Sequence, residues 1–293
     1  MMMSLSNFFW TMLRSIDLGP SILHPKIQKP FRLTAIHFSP YVEKVRWVLD
    51  LYQIPYVERA LMPVLHFAVL PWVVGLKGKK DSQSSRFSTP VVYTDRGECL
   101  SDSSSIVSYV IDRFSSVKPG LAFDQEMIAF DQYCKAEVGP GLRKVFYHSV
   151  LQDRNLMRKL AIHNVGPIQA KLFDLSFPWI KVLIEKGLVV TEKQSQISKD
   201  QLRRAYDRVE KMLSDGRPFL FGDRLSAADI SWACLGGAMC MPSPNEGYGA
   251  FLPDLEIDLR DRFLDLYAFV KECRQHRAGQ HALFLFSQYR NVN

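Results

Sequence analysis

One change of texture, near Lys118-Pro119-Gly120, constrains this 293-residue chain more than any other feature. A Pro and Gly pair breaks any helix that reaches it, and the apolar pattern differs on its two sides. Before it, residues 33–38 and 56–61 read as strands, and 41–52 as a helix with Tyr41, Val45, Val48, Leu49 and Tyr52 on one stripe. Residues 63–74 read as an apolar helix or irregular segment, 90–93 and 98–100 as a hairpin across Thr94-Asp95-Arg96-Gly97, and 104–114 as a helix. After it the pattern is helical around 125–150, 154–186, 199–213, 226–241 and 259–274, with Gly139-Pro140-Gly141 and Gly166-Pro167 bending or breaking the first two. The order βαβ, α, ββα and then helices predicts an α/β domain over 31–117 and an all-helical domain over 122–293, preceded by an N-terminal extension over 1–30.

Composition removes whole classes of alternative. With 47% hydrophobic and 23% charged residues the chain has the balance of a globular protein, not of a disordered or fibrous one. Its five cysteines form neither CxxC pairs nor clusters with histidine, which argues against a zinc module and a disulfide framework, and no metal is expected. The seven histidines show no metal spacing and read as surface or satisfied core residues. The longest apolar run, 67–76, is about half of the roughly 20 residues a membrane span needs and contains Pro71. No span is expected, and the protein is at most peripheral. Residues 1–30 faintly resemble a transit peptide but lack its arginine density, so cytoplasmic location and organelle targeting both stand. The net charge of +7 favours anionic small ligands or acidic surfaces. Its densest run, 77–80, sits in a Gly, Ser and Gln stretch and reads as a solvated loop; it lacks phosphate-loop spacing, and nucleic acid is not an expected partner.

Four short motifs carry chemistry. Ser39-Pro40 lies where the first strand gives way to the first helix, so Ser39 is either an N-cap or a hydroxyl placed to stabilise a thiolate at the positive end of a helix. Thr89-Pro90 opens the third strand; if the bond is cis, the N–H and C=O of Thr89 turn outward toward an extended peptide ligand. Asp102 and Ser103, in a run of four hydroxyls and one acid, either cap the next helix or hold the ammonium and carboxylate of an α-amino acid head. Ser226 and Asp229 have capping-box spacing before an apolar helix, a device for folding. The apolar segment 281–289 is expected to pack back onto the body.

In order and spacing, Ser39-Pro-Tyr-Val-Glu-Lys-Val-Arg46-Trp, Thr89-Pro90-Val-Val, Asp102-Ser103 and the Ser226 to Asp229 box after Phe-Gly-Asp-Arg closely resemble the cytosolic glutathione transferase superfamily. The resemblance covers residues 31–286. It implies a thioredoxin-like domain that binds glutathione as cosubstrate, an all-helical domain that supplies a hydrophobic cosubstrate site, and a homodimer. On this resemblance Ser39 falls on the catalytic position, Thr89 and Pro90 on the backbone clamp for the cysteinyl part, and Asp102 and Ser103 on the γ-glutamyl contact. Val42 and Ser105 depart mildly from the family's pattern, and the insertion at 77–88 departs more. Many members supply a basic residue to the glycyl carboxylate in that stretch, so Lys77, Lys79, Lys80 and Arg86 are equal candidates. Tyr133, Phe146, Tyr147 and Trp232 are the expected apolar walls for a hydrophobic electrophile.

Lowering a thiol from about 8.5 to 6.5 takes roughly 2.7 kcal/mol. One hydrogen bond to a charged group gives about 1.5–3 kcal/mol and a helix N-terminus about 0.3–1, so a serine hydroxyl with a helix dipole suffices. Serine forms no mixed disulfide, which favours transferase, isomerase or peroxidase chemistry over thiol exchange. The contrasting expectation is a noncatalytic protein of the same fold that binds hydrophobic ligands or joins a protein complex.

Overall fold

The computed structural model describes residues 15–17, 27, 29–74, 87–115 and 121–290. The predicted break at Lys118-Pro119-Gly120 and the candidates Lys77, Lys79, Lys80 and Arg86 lie outside the described residues.

The first half is built on strands β1 (Ser15–Asp17), β2 (Phe31–Ile36), β3 (Tyr56–Leu61), β4 (Val91–Tyr93) and β5 (Cys99–Ser101), in the spatial order β1-β3-β2-β4-β5. Helix α1 (Pro40–Leu51) makes the crossover between parallel β2 and β3, which pair from Phe31 with Tyr56 to Ile36 with Leu61. Helix α2 (His66–Val74) follows β3, the β4–β5 hairpin turns at Gly97, where φ is +81°, and α3 (Ser103–Phe114) closes the unit. Four of these strands form the thioredoxin-like sheet. The fifth, β1, comes from the N-terminal extension and pairs antiparallel with the outer edge of β3, an edge otherwise open to pairing with another chain.

The rest is helical: α4 (Gln125–Tyr133), α5 (Gly139–Val150), α6 (Arg154–Val165), α7 (Pro167–Leu188), α8 (Glu192–Met212), α9 (Ala227–Leu235), α10 (Leu264–Gln275) and α11 (Arg277–Leu285). The two Gly-Pro signals act differently. Gly166, with φ at +79°, ends α6 and Pro167 starts α7, a true break. Between α4 and α5 the chain stays helical but widens into a π-turn over Cys134–Val138. Gly139 permits a close approach there: a Cβ would lie 2.1 Å from the Tyr41 hydroxyl, so the ring would have to shift.

Helix α9 is buried on every side and starts at the expected capping box, in which the Ser226 hydroxyl accepts from the Asp229 N–H and the Asp229 carboxylate accepts from the Ser226 N–H. It packs across α1, so α1 has no solvent face to spare. Sequence periodicity assigns α1 one apolar stripe, yet Glu43, Lys44 and Arg46 are also fully buried, because each finds a partner outside its helix. Lys44 pairs with Asp131 of α4 at 2.6 Å, Arg46 donates to the carbonyl of Gly249 at 2.7 Å, and Arg290 bridges Glu43 and Asp50 at 2.7 Å each. Arg290 lies in the π-turn over Phe286–Arg290, so the C-terminal segment does fold back onto the body.

Candidate functional site

A cavity of about 940 Å³ opens between the two halves. Its floor on the thioredoxin-like side is made where three chain reversals meet: the β2–α1 turn, the start of β4 and the start of α3. These bring Ser39, Thr89, Pro90, Asp102 and Ser103 to one wall.

Ser39 has the extended backbone of an N-cap and Pro40 follows at the first helical position, but the Ser39 hydroxyl makes no capping hydrogen bond. The amides of Val42 and Glu43 instead bond the Ser39 carbonyl at 2.9 and 3.0 Å. Among the described residues the hydroxyl is therefore uncommitted, on the cavity wall at the positive end of α1. The Thr89–Pro90 bond is cis.

Asp102 does both things that its sequence context allows. With φ at +80° it caps α3, accepting from the Ser105 N–H at 3.2 Å, and its other oxygen pairs with the Lys135 ammonium at 2.6 Å. Lys135 has no counterpart among the expected site residues. It arrives because the π-turn after α4 shifts the helix register, and the Lys135 carbonyl accepts from the Tyr41 hydroxyl at 3.1 Å. Burial pushes the Tyr41 phenol up, so it remains a neutral donor. Arg143 of α5 also lines the cavity. Its guanidinium lies 5.5 Å from the Tyr41 ring centroid, and among the described residues its buried Nε has no acceptor.

The opposite wall is apolar. Phe146 and Tyr147 both line it, with their rings edge-on at 5.5 Å, and Leu142, Leu183 and Ile184 extend it. Burial pushes the Tyr147 phenol up to about 12. The other two expected aromatics lie elsewhere. Tyr133 ends α4 before the π-turn and sits 4.3 Å beneath the Arg208 guanidinium, off the cavity. Trp232 is wholly buried in α9, donates to the Ala278 carbonyl at 3.0 Å and meets Tyr206 edge-on: it is a core residue.

One of the histidines expected to be surface or satisfied core residues departs from that, and a second gathers acids about it at the surface. His66 opens α2 on the cavity wall, buried, against the Phe67 ring at 4.0 Å and with no partner for Nδ1 among the described residues. Desolvation pushes its imidazole down to about 4, so at neutral pH it offers a hydrogen bond and no charge. His276 lies 3.3 Å from Asp207 and 3.5 Å from Glu210, residues too distant in sequence for any spacing rule; its Nδ1 faces the Ala278 N–H at the start of α11.

Residues 33–118 match the family model described as glutathione S-transferase, N-terminal domain, and residues 192–241 match glutathione S-transferase, C-terminal domain. A search of curated sequences finds no match. Among solved structures, glutathione transferase GSTFuA3 from Phanerochaete chrysosporium is 16% identical, with 90% of this chain and 99% of that one covered at a TM-score of 0.54. The glutathione S-transferase CsGST63524 of Ceriporiopsis subvermispora, solved in complex with glutathione, is 15% identical over 90% and 99% at 0.55. The nitrogen regulation fragment of the yeast prion protein Ure2p is 14% identical over 89% and 99% at 0.52. At such identities the likeness is one of fold. Joined to the two domain matches, N-terminal before C-terminal, and to the thioredoxin-like unit followed by helices, it makes this chain similar in both of its halves to the cytosolic glutathione transferases.

Proposed function

We propose that the protein is a glutathione-dependent transferase that presents glutathione as a thiolate to a hydrophobic electrophile. The observation that carries this is the uncommitted hydroxyl of Ser39 at the N-terminus of α1, facing a cavity whose far wall is apolar. Glutathione lies along the thioredoxin-like wall, with its cysteinyl part beside Thr89 and Pro90 and its α-amino acid head at Asp102 and Ser103. Its thiol then reaches Ser39, whose O–H donates to the sulfur once the proton has left. The thiolate attacks an electrophilic carbon held against Phe146 and Tyr147; a carbon–sulfur bond forms and the leaving group departs with its electron pair, or a conjugated acceptor takes up a proton.

The test is the ultraviolet absorbance of bound thiolate against pH. One charge-assisted hydrogen bond is worth about 1.5–3 kcal/mol, so Ser39→Ala raises the pKa of the bound thiol by about one to two units. Glutathione affinity by calorimetry stays within a few fold, and conjugation near neutral pH falls about ten- to a hundredfold. If wild type and variant titrate alike and neither conjugates a panel of electrophiles, Ser39 is only a structural residue and a noncatalytic binding protein takes the enzyme's place.

A further inference from the structure

Helix α7 is apolar on two opposite sides. One side, with Ala170, Phe173, Phe177, Ile180 and Ile184, is buried against the body, and the Gln169 side chain ties it to β3 by bonding the Met62 N–H and the Ala60 carbonyl. The other side carries Ile168, Leu172, Leu175, Trp179, Val182 and Leu183, spaced to fall on one face at about 100° per residue. These six are 63, 43, 67, 78, 42 and 56% exposed. A helix on the surface of a soluble domain ordinarily turns charge toward water, so this face is built to be covered. Residues 119–191, which include it, fall between the two stretches matched by the family models.

Charge indicates the covering. Lys171 and Lys186 stand on the same face near its two ends, whereas the acids of the helix lie on its flanks, Asp174 with Arg154 at 2.8 Å and Glu185 with Lys181 at 3.8 Å. The exposed face itself thus carries two lysines and no acid, within a chain of net charge +7. Continuity indicates the purpose. Leu183 belongs to the exposed face and also lines the cavity, and Phe67, 50% exposed, lines the cavity from α2.

We propose that the outer face of α7 seats this protein on an anionic lipid bilayer, its apolar side chains at the boundary of headgroups and acyl chains and its lysines among the lipid phosphates. A second copy on this face would bring two faces together that carry lysines and no acid, and would cover the cavity at Leu183; an anionic bilayer complements the charge and leaves an apolar path to the cavity. No helix among the described residues is long and apolar enough to cross a membrane, so α7 lies on the surface. The delivery of lipid-dissolved electrophiles along this path rests on the transferase reading above; the docking does not, and its test contains no glutathione.

Flotation with vesicles of phosphatidylcholine, and of phosphatidylcholine with phosphatidylglycerol, is the experiment. The protein floats with the anionic vesicles, less so at high salt, and Leu175→Gln with Trp179→Gln weakens that binding about tenfold or more while the circular dichroism stays unchanged. Should the double variant fold poorly, Lys171→Glu with Lys186→Glu leaves the apolar face intact and abolishes the preference for anionic vesicles. Absence of flotation, or equal binding by wild type and the folded variants, overturns the proposal. So does a wild-type dimer that Leu175→Gln with Trp179→Gln converts to a monomer, which would assign the face to a second copy.

Discussion

Replacing Asp131 by alanine removes an acceptor shared by donors from both halves of the molecule. Its carboxylate takes the Lys44 ammonium at 2.6 Å, the Ser104 hydroxyl at the start of α3 and the Ser231 hydroxyl in α9. The side chains of Lys44 and Asp131 are 1% and 8% exposed, so water cannot replace the lost acceptor without opening the contact between α1 and α4. In Asp131→Ala the ammonium keeps only Ser104, 3.2 Å away. Breaking one side of a buried pair costs about 3–5 kcal/mol, most of it from the charge left behind. Lys44→Met with Asp131→Leu removes that charge as well and costs less than the single change. Burial alone would raise the Asp131 carboxyl, but the Lys44 ammonium and the hydrogen bonds outweigh it and hold it below its ordinary value of 3.8. This stabilisation is therefore complete above that value and is lost as pH falls through the lowered one. Urea unfolding of the three proteins at neutral and acid pH measures the ordering. A loss under about 1 kcal/mol in Asp131→Ala, or a double variant no more stable than the single one, refutes the assignment of the cost to an orphaned buried charge.

Ser226→Ala removes the N-cap of α9 and is expected to destabilise the protein by about 0.5–2 kcal/mol in thermal melts, with activity per folded molecule nearly unchanged; a loss of turnover without a loss of stability contradicts this. His66, held down to about 4, refuses a proton that the unfolded chain accepts near 6.5, so stability falls as pH drops between those values, by up to about 3 kcal/mol. His66→Phe flattens that decline in denaturation curves against pH, and an unchanged slope excludes His66 as its source. Lys135 and Asp102 together match the carboxylate and ammonium of an α-amino acid head, so Lys135→Met is expected to weaken glutathione binding about tenfold by calorimetry. Tighter binding in that variant means Lys135 competes with the ligand for Asp102.

What the sequence makes legible here is whatever depends on neighbours a few residues away. Strand β3 runs over the predicted 56–61, the Ser226 and Asp229 box closes as its spacing requires, and Gly166-Pro167 ends one helix and begins the next. Each rests on backbone chemistry within one turn of chain. Features set by distant partners escape the same reasoning. The burial of Glu43 and Lys44 rests on partners far along the chain, Arg290, 247 positions from Glu43, and Asp131, 87 from Lys44. The three-residue β1 is too short to carry a period of its own and is strand only because the edge of β3 accepts it. Trp232 and Phe146 are equally aromatic in sequence, but α9 is enclosed on all sides while α5 has one face on the cavity, so only Phe146 forms part of that wall. Lys135 is the instructive case. A regular helix drawn through Cys134–Val138 sets the register of its side chains one way, whereas the π-turn, with Gly139 held against Tyr41, sets it another and delivers an ammonium to Asp102. The charge that most alters the candidate site thus follows from a local widening of one helix, which neither composition nor spacing predicts.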